Sequence, residues 1–248
     1  MTDEVPVVAD QRGPVRWLRL ERPEKRNAMT SAMGARLGEL LEQARDDDAT
    51  RVVVITGSDG SFSSGLDRAE IASGMANKSE FPVELLVQYD KPTIACVNGL
   101  AFGGGATMAM ACDLRVAAAS ATLTFGLGRV GLTPEWGSSY LLWRQVGWSR
   151  ALDLFLTGRT VTADEALRIG LVDRVVDDGE VVDATQQLAE EIASLPPGTA
   201  EATKQVLRSG LDVDFLAARD VERKALAERA RALRAAQKDR RGSHDQRA

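Results

Sequence analysis

Residues 15–20 (VRWLRL) alternate apolar and charged positions, which predicts a half-exposed strand ended by Arg22 and Pro23. Residues 27–45 place Met29, Met33, Leu37, Leu40 and Leu41 at near-helical spacing, so the first amphipathic helix is expected there, capped by Thr30 or Asn27. Residues 52–55 (VVVI) and 93–97 (TIACV) are unbroken apolar runs of the kind that a buried parallel strand carries. Between them a helix is expected over 83–89, and the polar, irregular stretch 73–82 reads as a flap over a pocket. Residues 114–118 predict another strand, and the segment from 138 onward and 149–156 predict helices. Within 156–176 (LTGRTVTADEALRIGLVDRVV) a turn, a helix capped by Thr162 and a short strand follow one another. Strand and helix thus alternate, the signature of an α/β fold. Beyond residues 195–198 (LPPG) the pattern turns to strandless helices rich in Ala, Arg, Glu and Leu. The expected organisation is a core over 1–195 and a C-terminal helical region over 196–248 that needs a surface to cover and ends in a frayed tail.

Two places where an apolar run meets glycine change this picture from architecture to chemistry. Residues 97–107 (VNGLAFGGGAT) read as strand, turn and helix start, and Gly103, Gly104 and Gly105 leave backbone N–H groups with no side chain in front of them. Such glycines serve either the close packing of a helix on a sheet or the approach of a ligand to unpaired amides at a helix N-terminus. Residues 52–71 (VVVITGSDGSFSSGLDRAEI) repeat the arrangement, with a helix start near Asp67. Two such units are able to aim two amides at one oxygen, as a carbonyl that becomes an enolate requires.

Composition narrows the classes. The chain has 248 residues, 44% of them hydrophobic, enough for a sizeable core. A net charge of −5 and a pI near 5.2 argue against a general nucleic-acid binder. No apolar run has the length of a membrane span and the acidic N-terminus lacks a signal pattern, so a soluble, cytoplasmic protein without membrane partner is expected. Cys96 and Cys112 lie in apolar segments and read as small core residues. The single histidine, His244, sits in the terminal tail, which leaves a Ser-His-Asp system or an imidazole-based metal site without its imidazoles. Residues 126–131 (GLGRVG) match a dinucleotide-binding spacing, but Pro134 interrupts the helix such a loop must open.

Taken together, residues 22–30 (RPEKRNAMT), 61–67 (SFSSGLD), 97–105 (VNGLAFGGG), 131–139 (GLTPEWGSS) and 156–176 resemble the enoyl-CoA hydratase/isomerase family, the crotonase superfamily, in order and over most of the chain. The resemblance implies a spiral of ββα repeats with a C-terminal helical region, a homotrimer or homohexamer, an acyl-CoA thioester as ligand, and no cofactor or metal beyond the coenzyme A of the substrate. It implies that the backbone N–H groups of Leu66 and Gly104 form the oxyanion hole. It also places Lys25, Arg26 and Ala28 on the coenzyme A loop, where Lys25 and Arg26 suit its phosphates or form a solvated surface pair. Ser64, Asp67, Gly103, Thr107, Leu127 and Pro134 complete the implied substrate-binding set, Asp67 also fitting a helix cap.

The departures decide the chemistry that the resemblance implies. Hydratases of the family hold water between two glutamates, and the matching positions here are Thr107 and Leu127, neither of which transfers a proton at neutral pH. Glu135 remains, in a Pro-Glu segment similar to that of the family's isomerases, where one glutamate moves a proton between two carbons. Its alternative role is structural, with Thr133 as cap, Pro134 first and Glu135 second in a helix. An enoyl-CoA isomerase is therefore expected first, a hydratase with a different residue set second, and a non-catalytic acyl-CoA binder third. Tyr89 or Tyr140 could supply a phenol for other chemistry of the superfamily.

Overall fold

The computed structural model describes residues 5–73 and 82–245, so the stretch expected as a flap lies, but for its two ends, outside the described residues. The chain divides into two compact units, Met1–Ala193 and Ser194–Ala248.

In the first unit a six-stranded sheet runs in the order β1 (Val7–Arg12), β2 (Val15–Leu20), β3 (Val52–Gly57), β5 (Thr93–Val97), β7 (Leu114–Ala118), β10 (Arg174–Val176). Only β1 pairs antiparallel; the other ladders are parallel. A four-stranded sheet, β4 (Ser61–Ser63), β6 (Leu100–Phe102), β8 (Thr122–Thr124) and β9 (Thr160–Thr162), lies beside it, parallel except for β9. From β3 to β8 each turn of the chain adds a strand to the first sheet, a short strand to the second and then a helical segment. Thus β3 and β4 lead to α2 (Arg68–Ser73), and β5 and β6 lead to α4 (Gly104–Ala111). The repeat is the expected ββα spiral. β3 and β5 are buried at every residue, which explains why their sequences carry no polar alternation.

Around the sheets stand α1 (Ser31–Asp46), α3 (Val83–Gln88), α5 (Ser138–Val146), α6 (Trp148–Thr157), α7 (Ala163–Arg168) and α8 (Val181–Ala193), the last packed across β2, β3, β5 and β7. Thr30, not Asn27, caps α1, its Oγ1 accepting from the Met33 N–H at 3.2 Å. Thr162 caps α7 as expected. All eight residues of α4 are buried, so this helix has no polar face and its glycine-rich N-terminus opens inside the fold. Residues 126–130, the dinucleotide look-alike, form a single 3-10 turn.

The sequence pattern missed β1, an edge strand with mostly polar residues, and the three-residue strands β4, β6 and β9, too short to show a period. β2 is also more buried than its alternation suggests, because α1 and α8 pack on it.

The second unit is a pair of helices, α9 (Thr199–Ser209) and α10 (Phe215–Asp245). Arg229 of α10 donates to the Pro197 carbonyl at 2.6 Å and to Thr199 Oγ1 at 3.1 Å, which ties the start of α9 to α10. The terminal run expected to fray is helical as far as Asp245. Among the described residues no helix is long and apolar enough to cross a membrane.

Candidate active site

The two glycine segments meet. Gly65 adopts φ +84°, and a Cβ there would lie 2.8 Å from the Phe102 carbonyl oxygen and 3.1 Å from the Gly104 nitrogen. A Cβ on Gly105 would lie 2.3 Å from the Ser63 carbonyl oxygen. The segments therefore pack backbone on backbone, and only glycine permits the approach. Close packing, one of the two roles expected of these glycines, is therefore present.

Leu66 lies in a parallel bridge with Met29: the Met29 N–H donates to Gly65 O at 2.7 Å and the Asp67 N–H to Met29 O at 2.9 Å. That pattern turns the Leu66 N–H to the opposite side from Met29. Gly104 is the first residue of α4, so its N–H lacks an intrahelical acceptor. Among the described residues neither N–H has an acceptor.

A buried polar network fixes this loop. Asn27, fully buried and at φ +55°, donates through Nδ2 to the Ser58 and Ser61 carbonyls at 3.0 and 2.7 Å and accepts at Oδ1 from the Arg22 N–H at 2.9 Å. Ser63 Oγ donates to the Asn27 carbonyl at 2.8 Å and accepts from the Gly65 N–H at 3.1 Å. Arg22 reaches the Ala28 carbonyl at 3.1 Å and Asp67 Oδ2 at 2.6 Å. Asp67 Oδ1 in turn accepts from the Ala69 N–H at 2.8 Å, capping α2. The Arg22 guanidinium, aided by that amide, holds the Asp67 carboxyl below the ordinary range. Asp67 is thus occupied by its helix and by Arg22.

Lys25 and Arg26 stand exposed on the same strap, joined to the site by Ser64, whose Oγ donates to the Lys25 carbonyl at 3.0 Å and whose N–H donates to the Arg26 carbonyl at 2.9 Å. Of the residues singled out in the sequence, Lys25, Arg26, Ala28, Ser64, Leu66 and Asp67 therefore form one cluster, which Gly65 brings against the Gly104 backbone. Sequence reasoning missed Arg22 and the buried role of Asn27; the only local signal was an asparagine, which tolerates the left-handed region, between Arg26 and a β-bridge.

On the other side of the α4 N-terminus, Thr107 is buried and its hydroxyl donates to the Gly103 carbonyl at 3.2 Å, so it is spent on its own helix. The Leu127 Cδ2 comes to 4.0 Å from a Cβ built on Gly103. Pro134 is exposed and Glu135 half-buried. Helix α5 begins only at Ser138, after Gly137 in the left-handed region, so Glu135 is not in a first helical turn and the alternative Thr133-Pro134-Glu135 cap does not form. Between them Trp136 takes φ +53°, and its ring stands against Gly104: a Cβ on Gly104 would be 2.1 Å from Cζ3. Trp136 also lines a cavity of about 860 Å³ between α1, α3 and α5. Tyr140 lines this cavity too, whereas Tyr89 is fully buried, donates to the Leu41 carbonyl at 2.5 Å and has its pKa pushed up by burial, which removes it as an acid or base for the site.

With the geometry in place, the chain can be compared with known proteins. A Mycobacterium tuberculosis protein named "Probable enoyl-CoA hydratase EchA12" is 39% identical over 227 residues, covering 86% of this chain and 80% of its own length. The structure of a monofunctional enoyl-CoA isomerase from M. smegmatis superimposes with a TM-score of 0.77 at 38% identity, covering 87% of this chain and 98% of that one. A Thermobifida fusca structure in complex with CoA gives a TM-score of 0.86 at 31% identity, covering 93% and 95%. The fold is that of the crotonase superfamily. The sequence model of the enoyl-CoA hydratase/isomerase family matches residues 10–240, and the chain belongs to that family.

Proposed function

We propose that this member of the family is an enoyl-CoA isomerase. One observation carries the reading: of the three positions where resemblance to the family would put a catalytic carboxylate, 107, 127 and 135, only Glu135 has one, and it is the neighbour of the tryptophan that rests on Gly104. The thioester oxygen is received by the Leu66 and Gly104 amides. Glu135 takes a proton from the α-carbon of a β,γ-enoyl thioester, the electron pair moves into the carbonyl and the negative charge falls on the oxygen held by the two amides. Return of the same proton to the γ-carbon gives the α,β-enoyl thioester, with no water and no second base. Lys25 and Arg26 hold the phosphates of coenzyme A.

Glu135→Gln tests the assignment. Interconversion of β,γ- and α,β-hexenoyl-CoA is expected to fall about 10²–10⁴-fold, with acyl-CoA affinity retained. Full activity in that variant overturns the role of Glu135. The hydratase reading draws on the name of the mycobacterial relative, and loss of enoyl absorbance from crotonyl-CoA in water reports it. Binding of several acyl-CoAs with no turnover of any enoyl isomer would mark a binder. Exposed Trp148, Leu152 and Leu156 along α6 support the homotrimer or homohexamer, which light scattering measures.

A further inference from the structure

Trp136 touches two places that otherwise share no residue. Its ring atoms Cζ3, Cη2 and Cε3 lie 2.1, 2.7 and 2.8 Å from the position of a Cβ on Gly104. The same residue belongs to the wall of the cavity of about 860 Å³, together with Gly34 and Gly38 of α1, Val83 and Leu85 of α3, and Leu141 of α5. Leu66, Gly103, Gly104 and Thr107 do not line that cavity. Its volume falls in the range of ligand pockets, about 300–1,000 Å³. Its walls are mostly apolar and to that extent suit an alkyl chain, with Glu39, Glu42 and Glu84 as the charged residues among them. What stands between such a chain and a thioester at Gly104 is the indole.

The backbone holds the indole there. Trp136 at φ +53° and Gly137 at φ +76° are consecutive residues in the left-handed region, and they turn the exposed arm before them into α5. A bulky residue keeps such a conformation only where its surroundings over-determine it. Here the surroundings are the side-chain-free face of Gly104 and the cavity wall.

Resting on the reading that the Leu66 and Gly104 amides receive the thioester oxygen, we infer that Trp136 is the specificity-determining residue of this enzyme. It closes the cavity against the acyl group and so selects short acyl-CoA thioesters. A long chain enters only when the indole is removed.

The test compares wild type with Trp136→Ala on β,γ-hexenoyl-CoA and β,γ-dodecenoyl-CoA. In parallel, calorimetry gives the affinities of saturated butyryl-CoA and lauroyl-CoA, which need no turnover. Wild type is expected to prefer the hexenoyl ester. In Trp136→Ala the dodecenoyl-to-hexenoyl ratio of kcat/KM, and the lauroyl-to-butyryl affinity ratio, should each rise at least about tenfold, since each methylene moved into the cavity contributes roughly fourfold. Should Trp136→Ala not fold, Trp136→Leu, narrower than the indole but still apolar, carries the same comparison. Turnover with unchanged ratios, or a wild-type preference for the longer esters, overturns the inference and leaves the isomerase reading standing. Absence of turnover with a displaced affinity ratio does the reverse.

Discussion

Residues 61–67 and residues 126–137 both reach the N-terminal end of α4, the first through Gly65, the second through Leu127 and Trp136, and they are held there by different means. In the first segment every turn is answered by a buried partner: Asn27 and Ser63 bind its carbonyls and amides, and Gly65 leaves no room for a side chain. The second is exposed from Gly128 to Pro134 and is held by a left-handed pair, an indole and the Arg129 contact to the Thr157 carbonyl. The difference teaches where chemistry can vary on this frame. Backbone donors for an oxyanion tolerate displacement of a fraction of an ångström at most, so the segment proposed to carry them is locked. The segment proposed to carry the base is more exposed, and Arg129 ties it to the end of α6, its Nε donating to the Thr157 carbonyl at 2.9 Å.

Alanine placed at one glycine in each segment gives the widest separation. Gly65→Ala introduces a Cβ 2.8 Å from a carbonyl oxygen at φ +84°, and enoyl-CoA turnover should fall about 10²–10³-fold as the two amides are pushed apart. Gly131→Ala meets nothing within 4 Å, and although its φ of +78° costs about 1 kcal/mol of stability, turnover should stay within a few-fold of wild type. Equal losses of turnover in the two variants would break the contrast.

A smaller effect isolates the ion pair beneath the locked segment. Asp67→Asn keeps the capping acceptor for Ala69 but removes the charge facing Arg22, for an expected loss of about 1–2 kcal/mol in urea unfolding at neutral pH. The sign of its pH dependence follows from the depressed carboxyl. Its stabilisation is present above the unfolded-state value of about 4 and drains away as pH falls through the lower folded-state value, so the two proteins should converge in acid. A difference that grows below about pH 4 contradicts the pairing.

The smallest expected effect lies on the exposed strap. Arg26→Ala should raise KM for a coenzyme A thioester about threefold to tenfold and leave KM for the matching pantetheine thioester, which lacks the nucleotide phosphates, unchanged. Equal changes for both esters would return Arg26 to the role of a solvated surface residue.

Local chemistry made part of this molecule legible from its residues in order. The continuous apolar runs specify β3 and β5 because a strand buried on both faces has nowhere to put a polar residue, and the spacing of Met33, Leu37 and Leu41 specifies α1. The five ordered motifs specify the family. Tertiary structure alone decided the rest. The three-residue strands exist only as partners of one another, Asn27 is buried because distant carbonyls close around it, and Arg22 meets Asp67 across 45 residues. Trp136 faces Gly104 for the same reason: local pattern sets the conformation of a segment, but which side chain lands in the space a glycine leaves open depends on contacts between segments far apart in the chain.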